Sequence, residues 1–98
     1  MDIPKPNQDE ITVYSKSGCV NCVNVKKLLK DKSMTFSVIN CDEFIYEDKE
    51  GFLDCIKELA GKECRIFPMV FDGNTFIGGF AETTKYLDKN IDFNDTDF

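Results

Sequence analysis

Apolar and polar residues change their spacing repeatedly along this chain, and each change marks an element. Residues 11–14 alternate and are rich in β-formers, which predicts a first strand. After a short loop at 15–18, apolar residues recur at Cys22, Val25, Leu28 and Leu29, with Asn21, Asn24, Lys26, Lys27 and Lys30 between them. That is the spacing of an amphipathic helix. Residues 35–39 read as a second strand, and a helical crossover between two strands favours parallel pairing with a right-handed connection. From Glu50 onward, Phe52, Leu53, Ile56, Leu59 and Ala60 predict another helix, with Gly61 as its terminator. Residues 68–71 and 75–77 flank Asp72-Gly73-Asn74, a hairpin signal, and Gly78-Gly79 interrupts the second of those strands. A last helix is predicted from about residue 81 to about residue 88. The order β-α-β-α-β-β-α is that of an α/β domain, a four-stranded mixed sheet flanked by helices, with no internal repeat.

At 98 residues the chain has room for a single core, so residues 1–98 are read as one domain. Residues 1–10, with two prolines, are expected to form a loose N-terminal lead, and residues 89–98 an acidic C-terminal tail. With 42% hydrophobic residues, nine Phe and three Tyr, the domain has large side chains to bury. The net charge of −6 argues against a nucleic-acid partner, whose binding rests on neutralising phosphates. No stretch approaches the roughly 20 apolar residues of a membrane span, and the opening lacks the apolar core of a secretory signal. The expectation is a monomer in a reducing, cytoplasmic compartment, with neither membrane nor nucleic acid as partner. Five cysteines cannot all pair within one chain, which fits one functional pair better than a disulfide scaffold. The absence of histidine removes Ser-His-Asp and Cys-His catalysis.

The chemistry concentrates at Lys16-Ser17-Gly18-Cys19-Val20-Asn21-Cys22, where the first strand hands over to the first helix. At this spacing both sulfurs lie on one helix face within reach of a disulfide, and Cys19 sits among the unpaired amides of the helix start. A thiolate there, with Lys16 close by, is expected to have its pKa lowered from about 8.5 into the range of roughly 3.5–7.5. The extra thiolate is nearly offset by lower nucleophilicity, since the Brønsted slope is about 0.4–0.5, but such a sulfur leaves readily when a second thiol attacks. Cys19 is therefore read as exposed nucleophile and leaving group, and Cys22 as resolving thiol. Burial of both as inert small side chains fits a strand-to-helix junction poorly. Zinc would draw its remaining ligands from Cys41, Cys55 and Cys64, whose spacings match no ligand pattern, so no metal is expected. Those three are read as small hydrophobes, with Cys64 nearest a second motif.

That second motif is Phe67-Pro68-Met69-Val70-Phe71, and a third is Gly78-Gly79-Phe80-Ala81-Glu82. Together with residues 11–16 and C-x-x-C, in this order, the chain resembles the glutaredoxins of the thioredoxin-like fold from residue 11 to about residue 88. The wording of the second and third motifs is also similar to glutaredoxins encoded by large DNA viruses. The resemblance implies a dithiol enzyme with glutathione as co-substrate, reducing protein disulfides and glutathione mixed disulfides through a redox-active Cys19–Cys22 pair. It further implies a cis bond at Pro68 that turns the Phe67 backbone toward the catalytic sulfur. Gly78 and Gly79 are implied to admit the ligand closely, and the amides of Phe80, Ala81 and Glu82 to receive its carboxylate, with Lys16 near its glycine carboxylate. Four lysines and no acid between residues 11 and 30 suit an anionic thiol independently of the family; Lys26, Lys27 and Lys30 are read as the helix's solvent face.

The chain also departs from the family. Val20-Asn21 stands where Pro and an aromatic are usual, and Gly18 replaces a bulkier residue. Leu53-Asp54 stands where the second helix often offers Gln or Arg, leaving Lys57 or Arg65 as substitutes. Two other readings remain open on these residues. One is a glutaredoxin-like redoxin reduced by thioredoxin reductase and donating electrons to ribonucleotide reductase. The other is a module holding an iron–sulfur cluster between two chains through Cys19 and glutathione.

Overall fold

The computed structural model describes residues 1–91; of the expected acidic tail, residues 92–98 lie outside the described residues. Seven elements follow in the predicted order: β1 (Ile11–Ser15), α1 (Val20–Asp31), β2 (Phe36–Asn40), α2 (Asp42–Ala60), β3 (Met69–Asp72), β4 (Thr75–Gly78) and α3 (Phe80–Ile91). The sheet order is β2-β1-β3-β4. β1 and β2 pair in parallel, Ile11 opposite Phe36, while β1 with β3 and β3 with β4 are antiparallel.

β1 is central and buried along its whole length, and its period-two alternation assigns residues to two cores. Ile11 and Val13 join Val25 and Leu29 of α1, Val70 of β3 and Leu87 of α3. Tyr14 joins Met69 and Phe71 of β3 with Phe52, Leu53 and Ile56 of α2. The sheet is thus covered by α1 and α3 on one face and by α2 on the other. Each fully buried Phe or Leu in these clusters contributes about 1.5–3 kcal/mol by leaving water.

Three sequence expectations change, the first at the C-terminal end, where α3 runs on to Ile91 and takes in residues 89–91 of the expected tail. α2 starts at Asp42, not at Glu50, because it is built of two segments. Asp48 has non-helical torsions, φ −161° and ψ 84°, and its Oδ1 accepts from the amide of Gly51 at 3.0 Å. Asp48 thereby caps the segment whose periodicity is visible from Glu50. The front segment carries only Phe44 and Ile45 onto the core, too few for a readable helical period. Gly61 ends the helix as expected, with φ 80° and its amide bonded to the Lys57 carbonyl at 2.9 Å.

The N-terminal lead is tied down instead of loose. The Tyr14 hydroxyl donates to the Pro4 carbonyl at 2.6 Å, the Asn7 amide donates to Thr12 Oγ1 at 2.9 Å, Ile3 packs on the α2-side core and Pro6 is buried. A buried phenol needs an acceptor, and the lead supplies it.

Candidate active site

Where β1 ends, residues 16–18 turn the chain, and Cys19 becomes the N-cap of α1 with extended torsions, φ −108° and ψ 108°. Its Sγ accepts a hydrogen bond from the Cys22 amide at 3.1 Å, the position a Ser or Asp oxygen takes in an ordinary N-cap. α1 has no acidic residue in its first turn, so nothing on that helix competes for its positive end. Cys19 is half-buried and Cys22 is 1% exposed, and the two are joined in a disulfide with their Cα atoms 5.2 Å apart. The difference in access means that an incoming sulfur meets Cys19 first.

The loop before Cys19 is held by the start of α2. Asp42 Oδ1 accepts from the Ser17 amide at 2.9 Å and Oδ2 from the Ser17 hydroxyl at 2.5 Å, while the Asp42 amide donates to Asn40 Oδ1 at 3.0 Å. The Ser17 bonds hold the Asp42 carboxyl below the usual carboxylate range. Asp42 escaped the sequence reading because the front half of α2 did.

A cleft of about 450 Å³ opens beside Cys19. Of the residues singled out in the sequence, Lys16, Phe67 and Arg65 line it with Cys19, and Ile45, Lys49 and Ile66 add walls that the sequence did not indicate. Lys49 is the cation that α2 contributes here. Lys57 lies elsewhere, beside Asp54, Glu58 and Gly61, so it does not substitute for the missing Gln or Arg. Arg65 does reach the cleft, but its guanidinium bonds both Glu50 oxygens at 2.9 and 3.3 Å and lies 3.7 Å from Glu63. Phe67 stacks on Phe52 at 5.9 Å between centroids, and Phe52 stacks in turn on Phe44 at 6.0 Å. The Lys16 ammonium lies over the Phe67 ring, 5.8 Å from its centroid. The Phe67–Pro68 peptide bond is cis; Pro68 itself is buried and does not line the cleft.

An adjoining hollow of about 280 Å³ shares Arg65 and Ile66 with the cleft and adds Cys64, Gly78, Gly79 and Glu82. Phe80, Ala81 and Glu82 form the first turn of α3. The Glu82 carboxylate accepts from the Gly79 amide at 3.0 Å while the Thr83 amide bonds the Gly79 carbonyl at 2.9 Å, so Gly79 caps the helix. Gly78, at φ 132°, leaves no space for a side chain: a Cβ would stand 2.8 Å from Glu82 Cβ. The two hollows together run from Cys19 past Phe67 to the start of α3, which brings the three sequence motifs to one side of the molecule.

The other cysteines are set apart. Cys41 is fully buried at the head of α2, and burial, with a smaller contribution from Asp42, pushes its thiol up to about 12. Burial also raises the Tyr14 hydroxyl, with Cys41 as the second cause. Cys64 is half-buried with its thiol raised, chiefly by burial. Cys55 donates to the Met1 carbonyl at 3.1 Å. Among the described residues, no three Cys, Asp or Glu converge to hold a metal ion.

A two-cysteine disulfide at the head of the first helix, on a four-stranded mixed sheet with helices on both faces, defines a thioredoxin-like redox fold. The glutaredoxin family model matches residues 11–77. Human mitochondrial glutaredoxin-2 is 32% identical over 75 residues, which cover 76% of this chain and 43% of the relative. Glutaredoxin 1 of Rickettsia conorii is 35% identical over 69 residues, 70% of this chain and 63% of the relative. Among solved structures, wheat glutaredoxin superposes with a TM-score of 0.66 at 32% identity, over 85% of this chain and 72% of its own. The buckwheat glutaredoxin–glutathione complex superposes with a TM-score of 0.68 at 26% identity, over 86% and 73%. The chain belongs to the glutaredoxin family. It spans less than half the length of the human relative and under two thirds of the rickettsial one.

Proposed function

We propose that the protein is a glutathione-dependent thiol–disulfide oxidoreductase that reduces protein disulfides and glutathione mixed disulfides. The observation that carries this reading is the Cys19–Cys22 pair at the α1 start, with the more accessible Cys19 opening onto a cationic cleft. In the dithiol route, Cys19 as thiolate attacks one sulfur of a substrate disulfide and the other sulfur leaves as a thiolate. Cys22 then gives up its proton and attacks Cys19 Sγ. The substrate's second thiolate departs and takes up a proton, and the Cys19–Cys22 disulfide closes, so two electrons have passed to the substrate. One glutathione thiolate reopens the disulfide by bonding to Cys19, and a second removes that glutathionyl group as glutathione disulfide, restoring both thiols.

Glutathione suits the first hollow by charge, through Lys16 and Lys49 beside Cys19. Its cysteine meets Cys19, its glycine carboxylate lies toward Lys16, and its other end reaches the Phe80, Ala81 and Glu82 amides, passing Phe67, which the cis bond to the buried Pro68 orients, and Gly79. The Glu82 carboxylate at that helix start is a like charge to the ligand and lowers affinity there. Three unpaired thiols, Cys41, Cys55 and Cys64, support a reducing, cytoplasmic setting. The test is reduction of hydroxyethyl disulfide with NADPH, glutathione reductase and glutathione. Wild type turns over and Cys19→Ser is inactive. Cys22→Ser loses dithiol reduction of protein disulfides while keeping deglutathionylation. Turnover with thioredoxin reductase but not with glutathione would overturn the choice of reductant, and full activity of Cys19→Ser would overturn the site.

A further inference from the structure

A third hollow, of about 410 Å³, shares Lys16, Gly18, Cys19 and Val20 with the glutathione cleft but runs the other way, along α1 to Val23 and Lys26. Two apolar side chains stand open on its α1 side, Val20 at 73% exposure and Val23 at 61%, one helical turn apart, among Lys16, Ser17 and Lys26. Beyond them the same helix presents Lys26, Lys27 and Lys30, and from residue 11 to residue 30 there is no acid, on a chain of net charge −6. Asp31 closes the stripe, Asp88 faces Lys32 at 3.8 Å just past it, and Asp42, beside the active-site loop, is engaged by Ser17. An apolar pair beside a reactive sulfur, followed by a row of cations, is a docking surface whose partner carries the complementary order of groups.

We propose that α1 is the protein-substrate rail of this enzyme, selecting glutathionylated segments with an apolar residue next to the modified cysteine and acidic residues further along. The spacing follows from geometry. Lys26 to Lys30 lie about 9–15 Å along α1 from Val20 at a rise of about 1.5 Å per residue. An extended segment covers about 3.3 Å per residue, which places its acids about three to five residues from the cysteine. This inference rests on the glutathione reading: the glutathionyl half occupies the cleft toward Phe67 while the peptide half lies along α1. In the exchange, Cys19 as thiolate attacks the glutathionyl sulfur, the peptide–glutathione bond breaks, and the peptide leaves as a thiolate. The peptide cysteine is thereby reduced and Cys19 is held as a glutathione mixed disulfide, from which a free glutathione thiolate displaces Cys19 as thiolate and releases glutathione disulfide.

The test compares two glutathionylated peptides, identical except for Glu or Lys at those positions, in the NADPH-coupled assay. Wild type is expected to prefer the acidic peptide about tenfold in kcat/KM at low salt, approaching parity near about 0.5 M NaCl. The triple variant K26E/K27E/K30E is expected to invert the preference, read as the ratio of the two peptide rates so that any loss common to all glutathionylated substrates, seen with the small glutathione–mercaptoethanol disulfide, cancels. K27E/K30E, altered only at exposed positions, shifts the ratio in the same direction and covers the case in which the triple variant misfolds. Equal rates on both peptides by wild type, or an unchanged ratio in the variants, with wild type turning over the small disulfide, overturns the α1 inference alone. Failure of wild type on the small disulfide overturns the glutathione reading and this inference with it.

Discussion

Breaking the ring column Phe44–Phe52–Phe67 tests how the core supports the active-site cleft. Phe52 is fully buried and lies parallel to both neighbours, with interplanar angles of 4° and 7° and centroids 6.0 and 5.9 Å apart. An aromatic pair of this kind is worth about 0.5–1.5 kcal/mol beyond area burial. Phe52→Leu loses two such pairs while keeping most of the apolar volume, so the expected cost is about 1–3 kcal/mol. For a domain of this size that lowers Tm by about 4–8 °C per kcal/mol. Phe67→Leu loses one pair and a wall of the cleft, so in the proposed glutathione-coupled reaction its main effect falls on KM, with a smaller loss of stability. A double-mutant cycle, with all four proteins unfolded by urea in the oxidised state, isolates the shared contact, which is expected to couple by about 0.5–1.5 kcal/mol. Coupling near zero would refute the column as a support, as would a Phe52→Leu variant whose KM matches wild type while its stability falls.

Three further perturbations have defined outcomes. The Cys41 thiol is raised from 9.0 to about 12 in the fold, so its stabilising contribution is complete below about pH 9 and is lost as pH rises toward 12. The full loss is about 4 kcal/mol, and the stability difference between wild type and Cys41→Ala, from urea titrations at pH 7.5 and about 10.5, should fall by about 2 kcal/mol; a constant difference contradicts it. The Asp42 carboxyl is lowered by its Ser17 bonds, so the clamp holds throughout the ordinary carboxylate range and opens only as pH falls through the lower folded value. The Ser17 amide resonance should titrate with a midpoint below about 3.9, and a midpoint at that value would mean the clamp does not form in solution. Gly78→Ala is expected to cost about 1–3 kcal/mol, more than Gly61→Ala, because both positions have positive φ but only Gly78 faces the Glu82 side chain. Thermal melts showing equal losses would contradict the close approach.

The elements with full amphipathic patterns were legible from residue spacing, and so was their order. Val25 and Leu29 of α1 and Phe52, Leu53 and Ile56 of α2 announce their helices because each turn adds a buried residue. The front of α2 stayed hidden because only Phe44 and Ile45 point inward before Asp48 breaks the ladder, and with it went Asp42 and Lys49. Cys19, Lys16 and Phe67 could be named from motifs since the chemistry lies in the residues themselves. What Arg65 does depends on the path between α2 and β3, where no period exists to read, whereas Lys57 lies on the exposed face of α2, away from the cleft. The tethered N-terminal lead was illegible for a similar reason: its anchors are carbonyl oxygens of Pro4 and Met1, and main-chain acceptors look the same in every sequence.

The interruption at Asp48 divides the helical wall of the cleft, with Ile45 before it and Lys49 after it, while Phe52 and Ile56 stay locked in the core. A residue gained or lost at that joint would rotate the forward segment without disturbing the register of the rear one. Because the forward segment also carries Asp42 and Phe44, such a change would turn the cleft wall, the Ser17 loop and one end of the ring column together, while the rear segment kept its seat.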